Sequence, residues 1–317
     1  MKIFLVGILA LTLAAGCTTT SSSSSSSTSS SVEKQIPEMI TGEDYDEYGG
    51  ADAYGDAGNH PTSLYWGNPD FYRMTSTESF TIIPGFQTFL QTTEWSCGAA
   101  IALAVLENLG VEGYTEWEIA IGAESSVDQD TVDALPGTAD NFYEYGTNVG
   151  GLYQFFQSIP GIEIVESSYR ETYDTGDLIQ EEDGYSPVDV GNVYPTFSAM
   201  SLYASENDDA TEAWVEDAKD SFFVQWVLGH LENGNPIMVE WADWDGHWQA
   251  IIGYDTMGTP SLGDDVIIFA DPYDTSDHWQ DGYYYYPAER WFYMWKDRNV
   301  APKPFQLQPY IIVTRSE

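Results

Sequence analysis

The chain has 317 residues, with 51 Asp and Glu against 10 Lys and Arg, a formal net charge of −41. So large an acidic excess excludes the basic footprint that nucleic-acid phosphates require, and it disfavours adsorption to anionic lipid surfaces. The excess is spread along the whole chain, which points to hydration in a saline setting rather than to attraction of a cationic substrate.

Residues 1–16 read as a signal peptide. Lys2 supplies the positive start, and the apolar run IFLVGILALTLAAG is shorter than the roughly 20 residues of a membrane-spanning helix. The run ends in LAAGC, which resembles the bacterial lipobox, with Ala14 at the third position before Cys17. That resemblance implies cleavage before Cys17, lipidation of its thiol, and a mature protein anchored in the cell envelope, facing outside the cytoplasm. Multiple acyl chains make such an anchor stable. The tract TTTSSSSSSSTSSS cannot build a core, and the chain stays polar, acidic and glycine-rich to about residue 61. Residues 17–61 are therefore expected to be a flexible tether and acidic linker. Residues 62–317 suffice for one large domain, which is expected to be monomeric.

Two cysteines are present, Cys17 and Cys97. With Cys17 lipidated, Cys97 has no intrachain disulfide partner, and a leftover thiol in an exported chain is either buried and inert or reactive. Its surroundings favour reactivity. QTTEWS before it is loop-like, whereas CGAAIALAVLENLG is rich in Ala and Leu, lacks proline and ends in Gly110, where a C-terminal cap belongs. The run is apolar on nearly every face until Glu107, which predicts a buried central helix. Cys97 falls in its first turn, where free N–H groups and the helix dipole favour a thiolate. Gly98 is expected to let a substrate backbone approach closely.

The stretch from about 123 to 217, rich in Tyr, Gly and Asp, has no pattern that places it. It is expected to be an insertion bordering the cleft, where substrate choice would lie. A helix is predicted over AWVEDAKDSFFVQWVLGHLENG, and strands near 236–241, 247–254, 265–270 and 307–314. The aromatic tail DGYYYYPAERWFYMW reads as strand and helix packing rather than a sugar-binding face. Among the histidines, His60 lies in the linker, His278 in a polar loop, and His230 beside a glycine-asparagine turn. His247 instead opens the apolar strand HWQAIIGYD, and the next strand ends at Asp271. Adjacent strands ending in His and Asp let a carboxylate hold an imidazole tautomer. Asp274 is the second candidate acid, and Asp271 is preferred. No ligand cluster has metal-site spacing, so neither a metal nor a cofactor is expected.

Gln91 six residues before Cys97, CGAA opening an apolar helix, GHWQAIIGYD and ADPYD together resemble the papain-like cysteine peptidases. The likeness is nearest to their bacteriocin-processing, double-glycine-type group. The resemblance implies an α+β fold, with the nucleophile at the N-terminus of a central helix packed on an antiparallel sheet that carries His and Asp. It implies Cys97 as nucleophile, His247 as base, Asp271 as orienting acid and Gln91 in the oxyanion hole. Gly253 and Tyr254 match the family's Gly-Tyr-like pair, whereas Ser96 stands where that group often has Asp. The implied function is hydrolysis of peptide or isopeptide bonds in a peptide or protein substrate. The alternatives are acyl transfer by the same residues, or a papain-like shell reused for binding.

Overall fold

The computed structural model describes residues 64–125, 146–169, 202–205, 217–241, 246–274, 281–295 and 308–316, with Val215 and Asp243. The expected signal peptide, Cys17, the tether and the linker lie outside these residues, as do His60 and His278.

Strand β1 (Phe80–Ile82) precedes the long helix α1 (Cys97–Asn108). Helix α1 is buried almost throughout, as expected of a run with no polar face. Its end is set by Gly110 at φ +73, a conformation that costs glycine little. The Gly110 N–H reaches the Glu107 carbonyl at 3.0 Å and the Val111 N–H reaches Leu106 at 2.9 Å, the paired bonds of a Schellman stop. Helix α2 (Glu116–Gly122) begins in a capping box between Thr115 and Glu118. Helix α3 (Val149–Ser158) begins at Asn148, whose side chain accepts the Gly151 N–H.

Strand β2 (Ile162–Ser167) follows, then α4 (Phe222–Glu232), β3 (Ile237–Trp241), β4 (His247–Asp255), β5 (Val266–Ala270), β6 (Tyr283–Pro287), α5 (Ala288–Met294) and β7 (Tyr310–Arg315). The four predicted strands correspond to β3, β4, β5 and β7. The predicted helix over 213–234 is shorter than expected, because Ser221 interrupts it. Its hydroxyl donates to the Leu202 carbonyl at 2.6 Å and caps α4 by accepting from Val224, so the helix starts only at Phe222. Ala218–Asp220 ahead of it is a separate 3₁₀ turn.

Among the described residues, seven strands form one antiparallel sheet, six of them in the order β2-β7-β3-β4-β5-β6 and β1 paired to β4 off that path. Strand β4 is the longest: its first five residues pair with β3, and Gly253 to Asp255 pair with β1. The arrangement is compatible with the expected α+β architecture. Helix α3 and strand β2 come from the stretch read as an insertion, yet β2 pairs with β7 along the main sheet. That part of the stretch belongs to the sheet layer.

Alternation along the strands builds two cores. Met238, Trp248, Ala250, Ile268 and Ile311 face α1 to α3, while Val239, Ile251, Phe269 and Ile312 face α4 and α5. A register shift between Ile251 and Gly253 turns Tyr254 into the second core. There its hydroxyl donates to Asp265 at 2.6 Å. On the same face of the molecule's second core, Glu166 of β2 gathers three donors at once. Tyr310 donates at 2.6 Å, Trp226 lies at 3.2 Å, and His230 Nε2 also lies at 3.2 Å.

Asp265 is 1% exposed, and its Oδ1 has no donor among the described residues. Burial pushes its carboxyl up to about 8; the Tyr254 hydrogen bond opposes this, and the charges of Asp255, Asp264 and Asp217 add to it. A carboxyl raised in the folded state binds its proton more tightly there than in the unfolded chain. Stability therefore falls as pH rises from about 4 toward 8. In chemical denaturation, Asp265→Asn should remove this dependence and exceed wild-type stability by about 1–3 kcal/mol at pH 8. No advantage is expected near pH 4.

Candidate active site

Cys97 is the first residue of α1, a free thiol only 7% exposed. His247 opens β4, and Asp271 directly follows β5. Because the strands are antiparallel, with Ala250 opposite Ala270, the start of one lies beside the end of the other. His247 Nε2 is 2.7 Å from Asp271 Oδ1, with both side chains buried. The contact with Asp271 leaves the ring's other nitrogen, Nδ1, outside that hydrogen bond.

The charges are set by these contacts. Burial alone would lower the His247 imidazole, but hydrogen bonds to Asp271 and Cys97 outweigh it and raise the pKa to about 10. Burial would raise Asp271, but the hydrogen bond and charge of His247, with the N–H groups of Tyr273 and Asp274, hold its carboxyl below the ordinary value. The Asp271 carboxylate accepts the Tyr273 N–H at 2.9 Å, and its own N–H donates to Gly282 at 2.8 Å. Asp274 is wholly buried and accepts the Gly282 N–H at 2.7 Å. It anchors the loop, while the contact with His247 belongs to Asp271.

Gln91 is tied to this loop by its backbone N–H, which donates to Pro272 at 2.7 Å. Its side-chain Nε2 donates to the Thr93 carbonyl at 2.6 Å, which leaves that nitrogen one further N–H. Thr93 is itself held by Ser96, whose Oγ accepts the Thr93 N–H at 3.2 Å and hydroxyl at 2.8 Å. Ser96 is the N-cap of α1 but makes no side-chain cap bond. Its hydroxyl shapes the preceding turn, and the first helical N–H groups are left without a cap acceptor.

Gly98 does not have the expected role. A Cβ there would lie 2.8 Å from Thr147 Cβ and 3.2 Å from Trp248 Cδ1, so protein atoms rather than an open path occupy that side. The Trp248 indole N–H donates to the Thr147 carbonyl at 2.7 Å, and the Thr147 and Ser125 hydroxyls are 2.6 Å apart. This cluster clamps the start of α1 against the start of β4, and thereby Cys97 beside His247. Sequence reading missed these supports. A T-x-x-S pattern before the helix was available to flag Thr93 and Ser96, but Thr147 lies where the sequence shows no period. Gly253 has a packing reason too, since a Cβ there would meet Thr81 O at 3.1 Å and Ile268 Cβ at 3.3 Å.

A mixed α+β domain with a buried thiol at a helix start and a His–Asp pair on neighbouring strands is compatible with a papain-like peptidase fold. The chain belongs to the Peptidase_C39 like family, which matches residues 91–297. The match begins at Gln91 and takes in Cys97, His247 and Asp271; β1 and β7 lie outside it yet pair into the sheet. No curated protein matches the chain.

Two outcomes are expected from this geometry. In an NMR titration His247 should remain protonated to about pH 10, and Asp271→Asn or Cys97→Ala should lower that value. Its stabilising contribution is complete below the unfolded value of about 6.5 and is lost as pH rises through the folded value. Gly98→Ala should destabilise the fold by about 1–3 kcal/mol through overpacking against Thr147, as read by denaturant midpoint.

Proposed function

We propose that the protein is a surface-anchored cysteine hydrolase that cleaves peptide or isopeptide bonds outside the cytoplasm, with Cys97, His247, Asp271 and Gln91 as its catalytic residues. The observation that carries this reading is the 2.7 Å bond from His247 Nε2 to Asp271, with Cys97 among the groups that raise the imidazole. Asp271 holds the imidazole so that Nδ1 faces the thiol, and the proton resides on the ring, leaving a thiolate. The uncapped start of α1 adds a favourable field for that anion.

The thiolate attacks the acyl carbon, and the carbonyl oxygen becomes an oxyanion. The remaining N–H of the Gln91 amide and the Cys97 backbone N–H stabilise it, each donor being worth about 3 kcal/mol. Collapse breaks the C–N bond as His247 Nδ1–H protonates the leaving amine. Water, deprotonated by His247, then attacks the thioester, releases the acid and restores the ion pair. The lipid anchor at Cys17 is proposed on the LAAGC motif alone.

The test is the rate of Cys97 alkylation by iodoacetamide against pH, measured in high salt because of the acidic surface. Wild type should react rapidly well below pH 8, whereas His247→Ala should need a pH near about 8.5, the ordinary thiol value. Gln91→Ala should leave that profile nearly unchanged and lower kcat/KM by about 10²–10³ on any cleaved peptide. A wild-type thiol that titrates ordinarily, with or without His247, would refute the hydrolase reading.

A further inference from the structure

Ser96 stands directly before the nucleophile, at the N-cap of α1, and is 2% exposed. A serine there ordinarily accepts a hydrogen bond from the second or third helical N–H. Ser96 makes no such bond. Its side chain turns back to Thr93 instead, accepting the Thr93 N–H at 3.2 Å and the Thr93 hydroxyl at 2.8 Å. Its own hydroxyl lies 3.4 Å from the Thr93 carbonyl. We infer that Ser96 is a positioning residue for the oxyanion hole, acting on the Gln91 amide through Thr93. The inference rests on the hydrolase reading above and adds to it the groups that aim one of its donors.

The contacts run from Ser96 to Gln91. The Ser96 carbonyl accepts the first helical bond, from Ala100 at 2.9 Å, so the residue belongs to α1 by its backbone and to the turn by its hydroxyl. The far end of the turn is held as well. The Gln91 N–H donates to Pro272 at 2.7 Å, and the Thr92 N–H donates to Glu116 at 3.1 Å. Gln91 Oε1 is buried with no donor among the described residues, so the 2.6 Å bond from Nε2 to the Thr93 carbonyl decides which way the amide faces. A carbonyl accepts from the nitrogen end and repels the oxygen end. The reversed amide, with Oε1 against Thr93, is thereby excluded, and Nε2 keeps a second N–H for an oxyanion. The arrangement leaves an acceptor unpaired in the interior and a helix cap forgone, both of which are unfavourable. Three contacts with a single residue let Ser96 hold Thr93 in it. A donor fixed before negative charge develops stabilises that charge more than one that must first reorient.

Two reactions of the Cys97 thiol separate this role from the ion pair. Alkylation by iodoacetamide displaces iodide at a saturated carbon and forms no oxyanion. Acetylation by p-nitrophenyl acetate does form one: the sulfur bonds to the carbonyl carbon, the bond from that carbon to the aryl oxygen breaks, and p-nitrophenolate leaves. The quantity measured is the ratio of first-turnover acetylation to alkylation, in the full chain at one pH in high salt. Ser96→Ala should lower this ratio about tenfold, and Gln91→Ala should lower it at least as far. The double variant should be no lower than Gln91→Ala alone, because the serine acts only through that amide. Thr93→Val removes just the 2.8 Å bond, preserves volume, and should lower the ratio by a smaller factor, about threefold. Wild-type ratios in both Ser96→Ala and Thr93→Val, or losses that multiply in full in the double variant, would overturn the role. So would alkylation in Thr93→Val that slows as much as acetylation does. The alkylation profile of the wild-type thiol judges the hydrolase reading separately. An activated thiol with unchanged ratios removes only the role of Ser96, whereas an ordinary thiol removes the hydrolase.

Discussion

A carboxylate and an imidazole, 5% and 3% exposed, cannot both be buried here unless they meet. An isolated buried charge costs several kcal/mol, and partners with good hydrogen-bond geometry are what offset that. The His247–Asp271 bond is that partnership, and the surrounding fold is arranged so that it forms. Antiparallel β4 and β5 bring a strand start beside a strand end. The Asp271–Asp274 loop is pinned on both sides of Gly282, so the carboxylate has little freedom to leave. Two backbone N–H groups of the loop help to keep it ionised.

The thiol is delivered from the other side. Helix α1 lies on the sheet face that holds Trp248 and Ala250, and its first turn is stopped by Thr147 and Trp248. Both sides of the site are therefore positioned by packed, hydrogen-bonded contacts rather than by exposed loops. Gln91 is the link between them: its backbone is bonded to Pro272 beside the acid, and its amide is bonded to the turn before the thiol. A buried ionic pair at the edge of two dense cores is poorly solvated, which strengthens each charge interaction there.

The acidity of the chain acts on two scales. Spread along the chain, it concerns hydration. Among the buried groups, it appears as Asp265 and Asp255, whose carboxyls are both raised by burial. Tyr254 and Tyr65 respectively donate hydrogen bonds that oppose this rise, so burial comes first and local pairing limits it.

Much of this was legible in the linear chain. Helix α1 and its glycine stop, the four strands β3, β4, β5 and β7, and the candidates Cys97, His247 and Asp271 follow from local signals: apolar runs, breakers and the positions where polar residues interrupt them; Gln91 follows only from the family resemblance. The interruption of the 213–234 helix at Ser221, the membership of β2 in the main sheet, and the real neighbours of Gly98 did not follow. Each depends on an atom far away in sequence: the Leu202 carbonyl, strand β7, and Thr147. By itself, the sequence determined which residues are candidates for the chemistry, because reactive side chains and hydrophobic period are written locally. Only the tertiary structure decided which acid meets the histidine and what clamps the thiol, because those depend on distances between segments that no local pattern encodes.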